Sequence, residues 1–260
     1  MGKPRAISVN GDVALRERLW RHTPGSLGAQ VPHVTLLGEF GLDVDGDRVE
    51  LPFSAQRLVA FAALQRGRLS REYVAGRLWP ESGGVQALAS LRTAIWRVKQ
   101  ASPLVMASNR DCVSLSETVS VDVYDVLDLV HRILDRSAKP IEHVDIASLK
   151  KELLPSWLGD DWVLLERERL RQLCLHALEV LCERLLSSGR YAEAVEAGLA
   201  AVSGEPLRES AQRALISVHL AEGNRGEALR QYHDYRKLLR EELGLNPSSQ
   251  ITRLFDEFNS

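Results

Sequence analysis

Apolar and polar positions follow two different periods along the first half of the chain. Between Val34 and Leu51 they alternate in short runs, VTLLGEF, LDV and RVEL, interrupted by Asp45-Gly46-Asp47. Period-two alternation predicts strands, and an Asp-Gly step between such runs predicts a hairpin. From Ser70 the period lengthens: Tyr73, Val74 and Leu78 form one stripe of a short helix that Ser70 caps and Trp79-Pro80 ends. After Gly83-Gly84 the apolar period resumes at Val85 and continues through Leu88, Leu91, Ile95 and Val98, predicting a second amphipathic helix. Two further strands, Leu104 to Met106 and Cys112 to Leu115, flank the turn Ser108-Asn109-Arg110-Asp111. Two helices joined by a tight turn and followed by a hairpin are the parts of a winged helix-turn-helix.

The second half reads as helices throughout. Val126, Leu127, Val130, Ile133 and Leu134 mark a helix over Val123 to Leu134 with Asp122 as its cap, followed by a loop from Ser137 to His143. A shorter helix from Ile146 to Leu154 stops at Pro155, and a long one runs from Trp162 to Ser187. The segment SSGRYAEAVEAG from Ser187 then recurs as AEGNRGEALRQY from Ala221, an offset of 34 residues that also pairs Ala177 with Ala211 and Leu181 with Leu215. Thirty-four residues is the tetratricopeptide period, in which small residues let paired helices pack closely. Two repeats are too few for a stable solenoid, so neighbouring helices, including Ser248 to Phe258, are needed to complete the core.

The second helix of the first half carries the chemistry. With Leu88 at zero and about 100° per residue, its large apolar side chains centre near about 320°. Gln86, Ser90, Thr93 and Arg97 fall opposite, and Arg92, Trp96 and Lys99 lie at the borders. A major groove admits one helix and is read by small polar and Arg side chains, while basic flanks hold phosphates. Ser90, Thr93 and Arg97 are therefore expected to face bases, with Arg92 and Lys99 nearer the backbone. Asn109 and Arg110, at the hairpin tip, are placed to reach a phosphate or the minor groove. Periodicity and charge alone suit a solvated basic helix equally well; the hairpins on either side favour DNA.

Charge distribution points the same way. The 260 residues sum to −2, but residues 1 to 121 hold 15 Lys/Arg against 11 Asp/Glu, net +4, and residues 122 to 260 hold 18 against 24, net −6. From Phe53 to Val105 eight basic residues face only Glu72 and Glu81, net +6. DNA is thus expected to touch the first half and to be repelled by the second. The length suits two domains. The absence of a signal peptide or of an apolar run near the roughly 18 residues a bilayer requires suits a cytoplasmic protein. Residues 1 to 32 read as a flexible arm with one brief helical pattern at Val13 to Trp20; Arg16, Arg18 and Arg21 lie in it. Cys112, Cys174 and Cys182 form no metal-binding spacing, and Cys174 and Cys182, eight apart on one helix, cannot bridge each other. The chain lacks P-loop, GxGxxG, HExxH and GxSxG motifs and its seven His are scattered, so no enzyme activity, cofactor or metal is expected. Arg167, Arg169 and Arg171 beside Glu166 and Glu168 read as a solvated helix face, and Trp157 and Trp162 as core residues of the first helix layer.

Together these elements carry a family resemblance. Leu51-Pro52 ahead of the first helix, Ser70-Arg71-Glu72, Leu78-Trp79-Pro80 and Ser90-Leu91-Arg92 occur in the order and spacing of the winged-helix domain of the Streptomyces antibiotic regulatory protein family, a relative of the OmpR type. Trp96 stands where the family pattern has smaller residues. The segment LLPSWLGDDWVLLERERLR, the repeats and the EELGLNPS ending resemble the bacterial transcriptional activator domain that follows the winged helix in that family. The implied fold is mainly α with small β-hairpins: an arm over residues 1 to 32, a winged helix over 33 to 121, and an all-α tetratricopeptide-like domain over 122 to 260. The resemblance implies an activator that binds tandem promoter repeats as a homodimer, through Arg71, Ser90, Arg92, Thr93, Trp96, Arg97, Lys99, Asn109 and Arg110. It also implies recruitment of RNA polymerase through its σ and α subunits, for a specialised-metabolism gene cluster. Two other classes stay open on sequence: a protein-interaction module whose winged helix does not bind DNA, and a regulator that senses a small ligand.

Overall fold

The computed structural model describes residues 31–135, 137 and 143–257. The strands are β1 (His33–Thr35), β2 (Gly41–Val44), β3 (Asp47–Arg48), β4 (Leu69–Ser70), β5 (Met106–Ser108), β6 (Cys112–Leu115) and β7 (Ser120–Val121). The helices are α1 (Phe53–Gln65), α2 (Arg71–Leu78), α3 (Gly84–Ala101), α4 (Asp122–Leu134), α5 (Ile146–Leu149), α6 (Asp161–Ser187), α7 (Tyr191–Gly204), α8 (Glu209–Ala221), α9 (Arg225–Leu243) and α10 (Ser249–Glu257). The helical pattern of the first arm lies outside the described residues.

Asp45 and Gly46 both take positive φ, 54° and 86°, and turn β2 antiparallel into β3. That conformation is what an Asp-Gly hairpin turn requires. The run VTLLGEF is a strand only as far as Thr35. The amides of Leu36 and Leu37 each donate to the Asp122 carboxylate at 2.9 Å, and the chain turns at Gly38. Asp122 is thus the first residue of α4 rather than its N-cap, which is Val121; its Oδ1 still accepts the first-turn amide of Val123 at 2.8 Å, and the same carboxylate ties the start of that helix to a segment 86 residues earlier. β7 joins β1 in parallel, giving the order β3-β2-β1-β7, while β4, β6 and β5 form a second sheet in that order.

α1 is apolar on nearly every side, with Ala55 and Leu58 to Ala63 buried, as befits a helix at the centre of a core. Ser70 Oγ accepts the Tyr73 amide at 3.2 Å and caps α2, as its residue type predicts.

The repeat is literal in the backbone. α7 begins at Tyr191 and α9 at Arg225, 34 residues apart. Gly189 and Gly223 take φ of 70° and 87° at the ends of the preceding helices, where a side chain would be strained. The turn hydrogen bonds repeat as well: Arg190 N donates to Leu185 O at 3.0 Å and Asn224 N to His219 O at 2.8 Å. Ala194 and Ala228, equivalent in the repeat, are both fully buried. α6 through α9 thus form two stacked helix hairpins. One continuous core runs from β1 through α1 and α3 to α6 and α7, and a smaller cluster of Ile216, Leu220, Ala228, Tyr235, Leu239 and Ile251 seats α10. No described helix is long and apolar enough to cross a membrane.

Candidate nucleic-acid interface

α3 buries Ala87, Leu91, Ala94, Ile95 and Val98. Two of these are alanines, and counting them moves the centre of the buried stripe to about 285°, away from the about 320° given by the large side chains alone. Every outward residue is re-aimed by that shift. Trp96, expected at a border, lies near the middle of the outer face and is 52% exposed. Val85, expected to open the buried stripe, is 84% exposed. Ser90, expected to face outward with Thr93 and Arg97, is half-buried at the flank because it sits closer to the core-facing alanines. Arg92, Thr93, Arg97 and Lys99 are all exposed.

The exposed groups have few internal obligations. Thr93 Oγ1 donates to the Ala89 carbonyl of its own helix at 3.1 Å. The Arg97 guanidinium lies over the Trp96 ring, 5.0 Å from its centroid. Among the described residues no carboxylate comes within ion-pair distance of Arg92, Arg97, Lys99 or Arg110. A row of cations without acids leaves a positive field that the fold itself does not neutralise.

The hairpin β5-β6 is the wing. Met106 pairs with Leu115 and Ser108 with Val113, and β4 pairs on the far side through Ser70 and Cys112. Asn109 builds the turn: its Oδ1 accepts the amides of Asp111 at 2.9 Å and Cys112 at 2.7 Å. That oxygen is committed to the turn, which leaves exposed Arg110 as the cation at the tip, beside exposed Asp111. The Arg71 amide donates to Asp111 O at 3.0 Å, so the wing is fastened to the first residue of α2. Arg71 itself is half-buried, with Nε enclosed and without a partner among the described residues.

The helical half grips the winged helix through charge and aromatic packing. Arg57 on α1 donates from Nε to both oxygens of Asp160 at 3.0 Å, and the Trp162 indole N–H donates to the same carboxylate at 3.0 Å. Phe61 meets the Trp162 ring edge-on at 5.1 Å, and Phe53 meets Trp157 at 5.0 Å. Both tryptophans are buried, and the layer they close is shared with α1 rather than confined to the helices after Pro155.

Arg167 is not on a solvated face: it lies under the loop before α6 and donates to the carbonyls of Leu153, Leu154 and Trp157, with Glu152 at 3.3 Å. Arg171 pairs with Glu168 and Glu205, and the exposed Glu168 carboxyl is held at about 2, first by its hydrogen bond from Arg171. Tyr124 on α4 donates to Ala63 O at 2.8 Å and carries the Arg66 guanidinium over its ring at 3.7 Å. Burial raises the Tyr124 pKa and lowers that of Arg66. The roles of Arg57, Asp160 and Tyr124 were silent in the sequence and that of Arg167 was hidden behind its acidic neighbours, because each is defined by a partner remote in the chain or in an irregular loop. No group of three His, Cys, Asp or Glu among the described residues is placed to hold a metal ion.

Comparison with known proteins assigns the helical half. Residues 150–258 match the family described as "Bacterial transcriptional activator domain". They are such a domain. With its winged helix ahead of the activator domain, the chain is 30% identical to the regulatory protein AfsR of Streptomyces coelicolor, over 81% of this chain and 22% of the relative. It is 27% identical to AfsR of Streptomyces griseus, over 76% and 22%. The chain thus spans about a fifth of the length of the curated relatives it matches. Among solved structures it resembles Mycobacterium tuberculosis EmbR in complex with low affinity phosphopeptide, with a TM-score of 0.69, 17% identity, and coverage of 88% of this chain and 65% of that one. The likeness shows that the winged helix and activator domain share one fold with EmbR.

Proposed function

We propose that the protein is a sequence-specific DNA-binding transcriptional activator in which α3 enters the major groove and the wing tip at Arg110 holds the neighbouring backbone. The observation that carries this reading is the outer face of α3, where Arg92, Arg97 and Lys99 stand exposed with no ion-pair partner among the described residues. Arginines elsewhere in the molecule that bear structure, such as Arg57, Arg171 and Arg208, are paired with carboxylates. Phosphate is the counter-charge that a free basic helix face accommodates, with Arg110 at the wing tip as a further cation. Similarity to regulators of the AfsR type and the activator domain support activation as the outcome. On this reading two protomers occupy tandem promoter repeats, and the activator domain brings in RNA polymerase through its σ and α subunits at a specialised-metabolism gene cluster. The net −6 of residues 122 to 260 turns that domain away from the DNA and leaves it to proteins.

The test is binding of the full chain to promoter DNA across a salt series. A decline in affinity with a log–log slope of several units and a preference over random duplex are expected. The variant carrying Arg92→Ala and Arg97→Ala is expected to lose at least tenfold in affinity. An unchanged affinity in that double variant would overturn the assignment of α3 as the reading helix.

A further inference from the structure

The outer face of α3 is not simply basic. Down its middle run Val85, Ala89, Thr93 and Trp96, at about 60°, 100°, 140° and 80° on the helical wheel. Arg92 and Lys99 lie along one border of this strip and Arg97 along the other. Val85 and Trp96 are 84% and 52% exposed. The Thr93 hydroxyl proton is spent on the Ala89 carbonyl, so the side chain offers its methyl and an oxygen that can only accept. Arg97 rests against the Trp96 ring, which restricts where the indole can turn.

A strip of exposed apolar groups bordered by cations fits one kind of ligand surface: apolar groups set between rows of phosphates. In the B-DNA major groove the base edges present mostly hydrogen-bonding groups, and the one methyl among them is the C5-methyl of thymine. We propose that Trp96, with Val85 and Thr93 beside it, reads thymine methyl groups, and that Arg97, held against the indole, is pre-aimed at an adjacent base edge. This deepens the proposed function and rests on α3 being the groove helix. It makes Trp96 the specificity-determining residue of the face, and the preferred sites thymine-bearing at positions under its ring. The charged borders match phosphate rows on both sides of the strip, which an apolar protein groove lacks.

The experiment begins by selecting duplexes from a random library with the full-length protein at low salt. In the selected duplex each thymine is then replaced singly by deoxyuridine, which deletes only the methyl. Loss of about fourfold in affinity at one or two positions is expected, the worth of one buried methyl-sized group. In Trp96→Ala the same replacements should change affinity less than twofold, with the salt slope kept. Because Trp96 is half in solvent, the variant should keep its helical content, and the deoxyuridine series on the unaltered protein needs no variant. Enrichment of duplexes that are indifferent to deoxyuridine, or equal losses in Trp96→Ala, would overturn methyl reading while leaving DNA binding intact. Failure to enrich any duplex would overturn both readings and return the strip to a protein-docking role.

Discussion

Arg57 and Asp160, 103 residues apart, form a forked ion pair in which Nε lies 3.0 Å from both carboxylate oxygens. The carboxylate is 7% exposed and also accepts the Trp162 indole N–H. The pair thus locks the central helix of the winged domain to the start of the activator domain, inside a cluster that includes Phe61 and Trp162. Removing one member leaves the other charge in a dry setting, which is where such deletions are most expensive.

Asp160→Ala is accordingly expected to lower stability by about 3 kcal/mol, read from urea denaturation. Asp160→Asn, which keeps an acceptor for Trp162, should cost less. Since one core spans both halves, a single cooperative transition is expected in the wild type, and two separated transitions would contradict this account of the junction.

Gly198 on α7 faces Leu215 on α8: an added Cβ would lie 3.1 Å from Leu215 Cδ1 and 3.3 Å from its Cα. Gly198→Ala should therefore spread the two helix hairpins and destabilise by about 1–2 kcal/mol. Combining it with Leu215→Ala should give a loss smaller than the sum of the two single losses, measured by the same denaturation series.

Burial pushes the thiols of Cys174 and Cys182 up from 9.0 to about 11 and about 12, and for Cys182 the nearby Glu183 and Glu179 add to the effect. The folded chain keeps these protons at a pH where the unfolded chain has lost them. Their contribution is whole below pH about 9 and is lost as pH rises through about 11 and 12. Thermal midpoints should fall over that window, and Cys182→Ala should flatten the fall. In native protein at neutral pH a thiol reagent should label half-buried Cys112 quickly and the other two only on unfolding.

Asn109 and Arg110 are adjacent at the wing tip yet should fail differently. Asn109→Ala removes the acceptor of two turn amides and should raise hydrogen exchange across β5 and β6, lowering DNA affinity severalfold at all salt concentrations. Arg110→Ala should leave exchange untouched and reduce the salt slope by about 1. Identical behaviour of the two variants would argue against separate roles.

The helix-turn-helix, both hairpins and the 34-residue repeat were legible from the chain because each depends on local periodicity or turn chemistry: Ser70, Asp45-Gly46 and Gly189 with Gly223 act within a few residues of themselves. The aim of the outer face of α3 was only half legible. Leu88, Leu91, Ile95 and Val98 marked a stripe, but Ala87 and Ala94 pack as core as well, and alanine carries too little apolar surface to reveal which way it faces. Their burial decides that Trp96 stands outward and Ser90 does not.

Arg167 and Asp122 show the other limit. Their sequence neighbours suggest a wet helix face and a helix cap, whereas Arg167 holds loop carbonyls, and Asp122 binds the remote amides of Leu36 and Leu37 as well as the Val123 amide of its own first turn. The sequence by itself determined the elements, the repeat and the basic character of α3. Only the tertiary structure decided which charges are structural, which face of α3 is free and how the two halves are joined. Those properties depend on burial and on partners remote in the chain, and a charge or an indole acquires its role from what surrounds it.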